Sequence, residues 1–516
     1  MKKILKICLI ASIILPMFAS AEESPSPLYQ EKLRPQFHIT ARQWEGNVPN
    51  PGRGKDGWLN DINGLVYYDG EYHAFAQRWA TAWLHWVSKD LVNWTELKPA
   101  FCEERKWDGI QSGSSVIDKA NSSGLGTGGS AAPMVAFYSS GIRKHPDGST
   151  HATQCFAFSN DKGRTWTKYD KNPVLVDAER DPKVFWFEPD KKWIMVLYGP
   201  PGGYAFYSSK DLKDWQKMSF LPGYFECPDV FALPLDGDKN RMKWVVVNGD
   251  GSYVVGDFDG TTFKPETERK PSSGGDYYAT QTFNNAEDAD GRRIQLAWLR
   301  RSYYPHEVNY SPDMPFNQQM TFPCELTLKS NQGTMRLFRT PIKEVEKLHR
   351  AEHRFDSKTV AAGEVLKLGT GDAFHIKAEL EMADGAEGEF HFRGETITVS
   401  NGKIGIRDGL PDPPYTDASK KTEVVSTEVR SRVMNFVEPK DSAGHNKQIP
   451  LKTLDILLDR TSVEVFANEG EASLTAGFIP AGDDALTFKC TKGEVKFRTL
   501  AVYEMDTIWK GKPVDP

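Results

Sequence analysis

Three short acidic segments, far apart in the chain, carry residue types that can cleave a sugar linkage. They are residues 58–64 (Trp-Leu-Asn-Asp-Ile-Asn-Gly), 180–182 (Arg-Asp-Pro) and 226–229 (Glu-Cys-Pro-Asp). Splitting a glycosidic bond with retention needs one carboxylate as nucleophile and a second carboxyl group, roughly 5–5.5 Å away, as acid and then base. A third carboxylate can hold the hydroxyl groups of the distorted sugar. Each segment alone is more typical of a surface turn, but together they predict one catalytic site.

The local context of each acid leaves a structural alternative open. Asp61 stands in an Asn-Asp-x-Asn-Gly segment, which is also good turn chemistry. Asp181 follows Arg180, so a simple ion pair is the alternative there. Glu226 follows an apolar Tyr-Phe pair that suits a general acid, and its alternative is an edge-strand glutamate paired with a lysine. The presence of all three acids favours the catalytic interpretation.

The three segments resemble the signature of glycoside hydrolase family 32, the invertase, inulinase and levanase group. Further segments are similar to the family: residues 34–38, 88–94, 112–114, 275–279, 315–320 and 463–471. The similarity runs from about Arg34 to about Tyr503, nearly the whole mature chain. It implies a retaining hydrolase of β-fructosides.

The resemblance also implies roles for individual residues. It makes Asp61 the nucleophile, Asp181 the transition-state stabiliser and Glu226 the acid/base. The implied sugar ligands are the hydrogen-bonding residues Asn60, Gln77, Ser112, Arg180 and Asp276, and the ring-packing residues Trp79 and Trp298.

Three departures from the family pattern stand out, and the last two lie near the expected pocket. Ile62 stands where the family usually has proline, so the turn behind the nucleophile is less restricted in φ. Gln111 stands where an aromatic residue is usual. An insert rich in Gly, Pro and Asn, about residues 43–55, precedes the first acidic segment. If this insert raises the pocket rim, only a chain end can enter, which predicts exo-action; the alternative is an ordinary surface loop.

Length and composition indicate a two-domain protein and give no sign of a nucleic-acid or membrane partner. A chain of 516 residues with 39% hydrophobic residues is too long for one ordinary core. The net charge of −6 provides no footprint for nucleic acid, and no basic run suggests membrane adhesion. The expected partner is a fructan or fructo-oligosaccharide. We expect no metal and no cofactor, and the oligomeric state stays open.

The N-terminus has the pattern of an export signal. A basic start, an apolar stretch and the Ala19-Ser20-Ala21 cleavage pattern predict a signal peptide over residues 1–21. The mature protein is therefore expected in the periplasm or the medium, without a membrane anchor. Its five cysteines are sparse and odd in number, which favours buried free thiols over disulfides.

Short strand-like runs separated by turns dominate the first two thirds of the chain. Asp69-Gly70, Pro189-Asp190 and Asp259-Gly260 each separate two apolar runs and predict hairpins. Residues 88–94, 159–166 and 209–215 form a weak repeat that begins with Ser and ends with Trp. Such spacing favours the blades of a β-propeller over coincidental turns, and the resemblance implies five blades.

These patterns predict an all-β protein, a β-propeller followed by a C-terminal β-sandwich, and the resemblance makes it a five-bladed propeller. The predicted propeller covers residues 30–338 and the sandwich residues 353–516. Between them, residues 339–352 predict a linker helix in which Thr340 caps and Pro341 takes the first helical position.

The prediction is a retaining β-fructosidase acting on levan, inulin or their oligosaccharides, with sucrose as a further candidate. A fructosyltransferase using the same site is the alternative among enzymes. A carbohydrate-binding propeller without turnover is the alternative of another class.

Overall fold

Antiparallel sheets account for nearly all of the structure. The computed structural model describes residues 29–42, 57–104, 109–128, 132–141, 152–176, 180–300, 314–331, 333–411, 415–417, 422–424, 428–436 and 448–509. The predicted signal peptide with its cleavage site and the insert at residues 43–55 lie outside this part of the chain. In the described part, no helix is both long and apolar enough to cross a membrane.

Five groups of four main strands form the blades of a propeller. Blade 1 contains Ile62–Tyr68, Glu71–Arg78, Ala82–Ser88 and Trp94–Cys102; blade 2 contains Gly113–Ile117, Met134–Ser140, Thr153–Ser159 and Thr167–Lys168. Blade 3 contains Arg180–Phe187, Lys192–Gly199, Gly203–Ser209 and Gln216–Pro222. Blade 4 contains Asp229–Leu235, Asp238–Val247, Ser252–Phe258 and Phe263–Pro265, with Lys270–Pro271 beside its third strand. Blade 5 contains Tyr277–Thr282, Arg293–Leu299, Cys324–Asn331 and Thr334–Pro341, with Gln319–Met320 beside its second strand.

The predicted hairpins are present within the blades. The first two strands of blade 1 pair up to Tyr68 and Glu71, and Asp69 and Gly70 between them both have positive φ, 46° and 87°. Such a two-residue turn matches the twist of the flanking strands, which is why an Asp-Gly pair predicts it. In blade 3 the turn is a short 3-10 helix, Glu188–Asp190.

The repeat ending in tryptophan is one turn used in three successive blades. It joins the third strand to the outer strand, and the indole N–H of Trp94, Trp166 and Trp215 donates to a backbone oxygen three residues earlier, at 2.9, 3.0 and 3.1 Å. In each turn an aspartate caps the backbone N–H groups that follow it. The repeat is therefore structural and lies away from the inner strands.

Most of the remaining strands form a sandwich of two sheets, while Gly57–Trp58 and Phe316–Asn317 form a separate parallel pair. In spatial order, the first sheet contains Gly274–Gly275, Ala472–Gly477, Ser462–Ala467, Thr453–Asp459, Phe374–Met382, Glu494–Met505 and His349–Arg354, with Lys358–Ala361 also paired to Glu494–Met505. The second contains Val365–Thr370, Ala485–Lys492, Glu387–Phe392, Glu395–Ser400, Lys403–Arg407 and Ser431–Asn435. A separate hairpin pairs Tyr415–Asp417 with Thr422–Val424. Alternating apolar residues, such as Phe374, Ile376 and Phe488, fill the space between the sheets.

The predicted linker helix is shorter and tighter than expected. A 3-10 helix spans Lys343–Leu348, with Ile342 and not Thr340 at its N-cap. Thr340 and Pro341 belong to the last strand of blade 5, where Pro341 pairs with Cys324. Strand pairing therefore overrides the local helix signals, and the next strand begins at His349. A further 3-10 helix, Ala286–Asp288, follows the first strand of blade 5.

Candidate active site

The first strands of all five blades begin around one mouth of the propeller, and each brings a polar residue there. Asp61 and Ser112 directly precede the first strands of blades 1 and 2. Asp181 is the second residue of blade 3, and Glu226 lies three residues before the first strand of blade 4. Tyr278 is the second residue of blade 5. This convergence explains how residues from distant parts of the sequence form one site.

Asp61 is held by hydrogen bonds from the neighbouring blade and from its own. Ser112 Oγ donates to Asp61 Oδ2 at 2.6 Å, and Gln77 Nε2 contacts the same oxygen at 3.3 Å. Gln77 Nε2 also donates to Ser112 Oγ at 2.6 Å. Asn60 lies beside them, its side-chain oxygen accepting from the indole of Trp58 at 3.0 Å. These contacts fix the orientation of the carboxylate.

The environment of Asp61 is less favourable to its charged form than water is. Burial raises the pKa of Asp61 above its ordinary value, and the nearby Glu226 carboxylate adds to the effect. The hydrogen bond from Ser112 and the positive charge of Arg300 act in the opposite direction. These two groups therefore support the ionised form that a nucleophile needs.

Asp181 is buried at a bulge, with an unusual backbone. Its φ is 64°, and its blade pairing shifts register between Arg180 and Lys183. Its carboxylate accepts a hydrogen bond from the backbone N–H of Cys227 at 2.9 Å, and its own N–H donates to Ser139 Oγ at 3.0 Å. Burial and then the neighbouring Asp61 and Glu226 charges raise the pKa of Asp181 to about 7.

Glu226 has polar partners on both carboxylate oxygens. Arg180 donates to Oε1 from Nη2 at 2.5 Å and from Nε at 3.2 Å, and the Tyr278 hydroxyl donates to Oε2 at 2.5 Å. The Tyr204 hydroxyl donates to the backbone oxygen of Glu226 at 2.7 Å. The sequence predicted apolar surroundings for Glu226. In the structure Phe225 lies 44% exposed, and the charged partner of Glu226 is an arginine. The lysine-paired alternative is wrong for this residue.

Cys227 lies between the acids. A carboxylate oxygen of Asp61, one of Asp181 and the Cys227 sulfur all lie within 4.8 Å of one another. Burial, reinforced by the carboxylates, raises the pKa of Cys227 well above its ordinary value. The thiol therefore serves as a neutral neighbour of Asp181, with Sγ 3.6 Å from Oδ2. The described cysteines are all free; Cys102 is half-buried and the other four are buried.

The two predicted sugar-packing tryptophans differ in how much surface they present. Trp79 is half-buried and stacks on Trp58, with ring centroids 4.0 Å apart and planes 17° apart. Trp298 is only 4% exposed, and its indole N–H donates to Gln318 Oε1 at 3.2 Å. Trp79 is therefore the better placed of the two to meet a ligand.

Asp276 does not belong to this cluster, which corrects the sequence-based expectation. Its carboxylate is 2.7 Å from Arg430 and 2.8 Å from Arg432, and it accepts from the N–H of Gly477 at 3.0 Å. All three partners come from the sandwich. Asp276 is 3% exposed and ties the two domains together, so its acceptor oxygens are committed to that interface.

Three residues of the mouth were missed by the sequence reasoning: Tyr278, Ser139 and Arg300. Arg300 lies at the end of the second strand of blade 5, with its guanidinium carbon 4.0 Å from the centroid of the Tyr278 ring. Tyr278 belongs to a segment, residues 275–279, that carried the resemblance. For Ser139 and Arg300 no local pattern distinguishes them from ordinary strand residues.

Comparison with known proteins identifies one family over nearly the whole chain. The family model described as the glycosyl hydrolases family 32 N-terminal domain matches residues 53–341. The model of the family 32 C-terminal domain matches residues 344–504. The chain belongs to glycosyl hydrolase family 32. As a family 32 member it is a glycosidase, with the propeller in the first match and the sandwich in the second.

Individual family 32 relatives are similar over most of their length. A levanase of Bacillus subtilis is 35% identical over 99% of this chain and 76% of its own. The extracellular exo-inulinase of Aspergillus niger is 30% identical over 88% of this chain and 91% of its own. The crystal structure of an exo-inulinase from Aspergillus awamori superimposes with a TM-score of 0.74 and 26% identity, covering 93% of this chain and all of that one.

Proposed function

We propose that this protein is a retaining β-fructosidase that releases fructose from levan or inulin and from fructo-oligosaccharides, with sucrose as a further substrate. The observation that carries the proposal is the meeting of three carboxyl groups at one propeller mouth, each in a different hydrogen-bonding environment. The similar levanase and exo-inulinase support a fructan as substrate.

In the first step, Asp61 attacks the anomeric carbon while Glu226 transfers its proton to the glycosidic oxygen. The bond from sugar to leaving group breaks, and a covalent fructosyl-enzyme forms. Oδ2 of Asp61 accepts hydrogen bonds from Ser112 and Gln77, so Oδ1 is the oxygen that attacks. In the second step Glu226 takes a proton from water, and the resulting hydroxide displaces Asp61.

Asp181 holds sugar hydroxyl groups in both steps. With a pKa of about 7, its carboxyl group is partly protonated near neutral pH. Hydroxyl groups that donate to the carboxylate favour its ionised form, so binding of the sugar lowers this pKa. The sugar-binding set also contains Arg180, Asn60, Gln77, Ser112 and Trp79. Asp276 is left out of it.

The two alternatives are not favoured. A binding propeller without turnover has no need of three acids held beside one another, and the relatives are named as hydrolases. A fructosyltransferase would share the covalent intermediate, but the similar proteins are named as a levanase and an exo-inulinase, which are hydrolases.

Exo-action and export complete the proposal. Release of single fructose units agrees with the exo-inulinases among the relatives. The insert at residues 43–55, on which the raised rim depends, lies outside the described residues. Export is supported by the N-terminal sequence pattern and by an extracellular relative.

Replacing Asp61 by Asn tests the covalent step. The introduced amide preserves the shape of the side chain and can still accept from Ser112, so we expect unchanged fructose binding and a melting temperature no lower than that of the wild type. Turnover of levan and inulin, measured as released reducing sugar, should fall by several orders of magnitude. Retention of a tenth of wild-type activity would contradict the assignment, and a wild type without turnover would favour the binding-propeller alternative.

Replacing Glu226 by Gln tests the proton transfer separately. Fructosides with poor leaving groups need protonation to depart, so their cleavage should suffer most. The first step with an activated aryl fructoside, followed as a burst of aryl alcohol, should lose less. Equal losses on both substrates would reject the acid role. Chromatography of wild-type products from levan, inulin and sucrose then gives the substrate preference, and early long oligosaccharides would reject exo-action.

A further inference from the structure

Phe225 is a conspicuous surface residue for its type. Seven large hydrophobic side chains in the described part of the chain are strongly exposed, and Phe225, at 44%, is the one aromatic among them. Leaving an aromatic ring in water forgoes the stabilisation that burial would provide. Its ring contacts Tyr198, which lies beside Arg180 of the mouth, and this position indicates a use in binding.

The ring is fixed to the acid/base by a short chain of contacts. Phe225 packs edge-on against Tyr198, with ring centroids 5.0 Å apart and planes 69° apart. The guanidinium carbon of Arg180 lies 5.0 Å from the centroid of the Tyr198 ring, and Arg180 in turn donates to Glu226. The backbone N–H of Phe225 donates to Asn248 Oδ1 at 2.8 Å. The exposed ring therefore has a defined position relative to the group that protonates the leaving oxygen.

The side of the substrate that Phe225 meets follows from the chemistry of Glu226. A general acid must contact the glycosidic oxygen, so the leaving group lies next to it. One face of a furanose or pyranose ring presents mainly C–H groups, and a flat aromatic ring buries such a face well. Tyr198 supports Phe225 from the edge, as a binding platform requires.

We infer that Phe225, supported by Tyr198, is a platform for the sugar unit on the leaving-group side and favours sugar leaving groups over small alcohols. The inference rests on the proposed function, because it takes Glu226 as the acid. It assigns Phe225 to specificity and leaves the bond-breaking step to the acids.

The test compares two substrates in the variants Phe225→Ala and Phe225→Trp. Levanbiose and inulobiose carry a sugar as leaving group, whereas methyl β-fructofuranoside carries only a methyl group. For Phe225→Ala we expect kcat/KM on the disaccharides to fall about tenfold, a size that one aromatic contact can supply. Methyl fructoside should change by less than about twofold, and Phe225→Trp should restore disaccharide cleavage.

Met242→Ala is the matched control. Met242 is also 44% exposed and belongs to blade 4, but it pairs with Pro234 near the far end of the blade's first strand. This variant should leave both substrates unchanged. Unchanged disaccharide cleavage in Phe225→Ala, or equal losses on both substrates, would overturn the platform. A wild type that cleaves neither substrate would instead reject the proposed function.

Discussion

Asp181 shows that the site is built at the expense of stability. A carboxyl group with a pKa of about 7 in the folded protein, and an ordinary value of 3.8 when unfolded, binds a proton more tightly in the fold. The stability that Asp181 contributes is fully present below 3.8, its pKa in the unfolded chain. It is lost as the pH rises through about 7, its pKa in the folded protein. Asp181 therefore destabilises the fold most above pH 7, where its carboxyl group is ionised. The ionised carboxylate is also the form that holds sugar hydroxyl groups best.

Asp181→Asn should remove this penalty. An amide cannot ionise, so we expect the melting temperature of the variant to exceed that of the wild type by an amount that grows from about pH 4 to about pH 7 and then levels off. Each pH unit in that window corresponds to at most about 1.4 kcal/mol. Activity should fall strongly, because the hydroxyl groups lose a charged acceptor.

The measurement is thermal unfolding of both proteins across this pH range. Asp214→Asn, a change at an exposed aspartate, is the control and should show no such growth. A difference that shrinks as the pH rises would show that Asp181 is stabilised as an anion.

At the scale of single residues, the sequence predicted the three acids that meet at the mouth but misassigned a residue expected beside them. Asp61, Asp181 and Glu226 lie in short motifs, so their residue types and neighbours carry the signal. Asp276 was misassigned because its arginine partners, Arg430 and Arg432, follow it by 154 and 156 residues. A tertiary ion pair of that kind leaves no local pattern.

At the scale of elements, the turn ending in tryptophan carries a prediction of its own. The pKa of Asp90 is lowered to about 2, because hydrogen bonds from Asn93 and its neighbours outweigh burial. Asp211 similarly accepts from the N–H groups of Lys213 and Asp214 at 3.0 and 2.9 Å. Each aspartate thus caps a turn as a helix N-cap does.

Asp90→Ala and Asp211→Ala should each lower the free energy of unfolding by about 1 kcal/mol. The two turns belong to blades 1 and 3, so the double variant should show the sum. Urea unfolding provides the values, and kcat should not change because neither turn reaches the inner strands. Asp214→Ala is the control within the same turn, since Asp214 contributes its backbone N–H to the cap and keeps it in the variant. An equal cost for that control would refute the capping role.

Local chemistry explains which elements the sequence could predict. The Asp-Gly hairpin and the capped turn are made by residues adjacent in sequence, so their patterns are visible. The helix over residues 339–352 failed because its signals competed with a partner strand, Cys324–Asn331, which the segment itself does not reveal. Hydrogen bonds to that strand satisfy the backbone up to Pro341, and only Lys343–Leu348 turns into a 3-10 helix.

At the scale of the whole molecule, a buried charge network joins the N-terminal segment to both domains. His38 is fully buried, with its ring nitrogens 2.9 Å from Asp459 and 3.1 Å from Glu464, both on the sandwich. Glu464 also accepts from Arg339 of blade 5 at 3.1 Å and from the N–H of Phe322 at 2.6 Å. The sequence assigned Arg339 to the linker helix, whereas it pairs with Leu326 in blade 5, and it offered no sign that these residues meet.

This network predicts how the stability of the whole protein depends on pH. Burial disfavours a charged imidazole, but the hydrogen bonds to Asp459 and Glu464 outweigh it and raise the pKa of His38 to about 9. The stabilisation is therefore fully present below the unfolded value of 6.5 and is lost as pH rises through 9. The shift corresponds to roughly 3 kcal/mol, enough to matter for a fold of ordinary stability.

His38→Gln should reveal this dependence, because the amide can still donate to a carboxylate but carries no charge. We expect the wild type to melt well above the variant between about pH 5 and 6.5, and the gap to close steadily between pH 6.5 and 9. Below about pH 5 the gap in melting temperature no longer reports on His38 alone. Asp459 and Glu464 begin to lose their charge there, as the pH falls toward their lowered pKa values. His353→Gln, at a histidine 44% exposed on the sandwich surface, is the control and should leave the profile unchanged. A gap that stays constant up to pH 9 would mean that His38 is neutral in the fold, and that packing alone joins the N-terminal segment to the two domains.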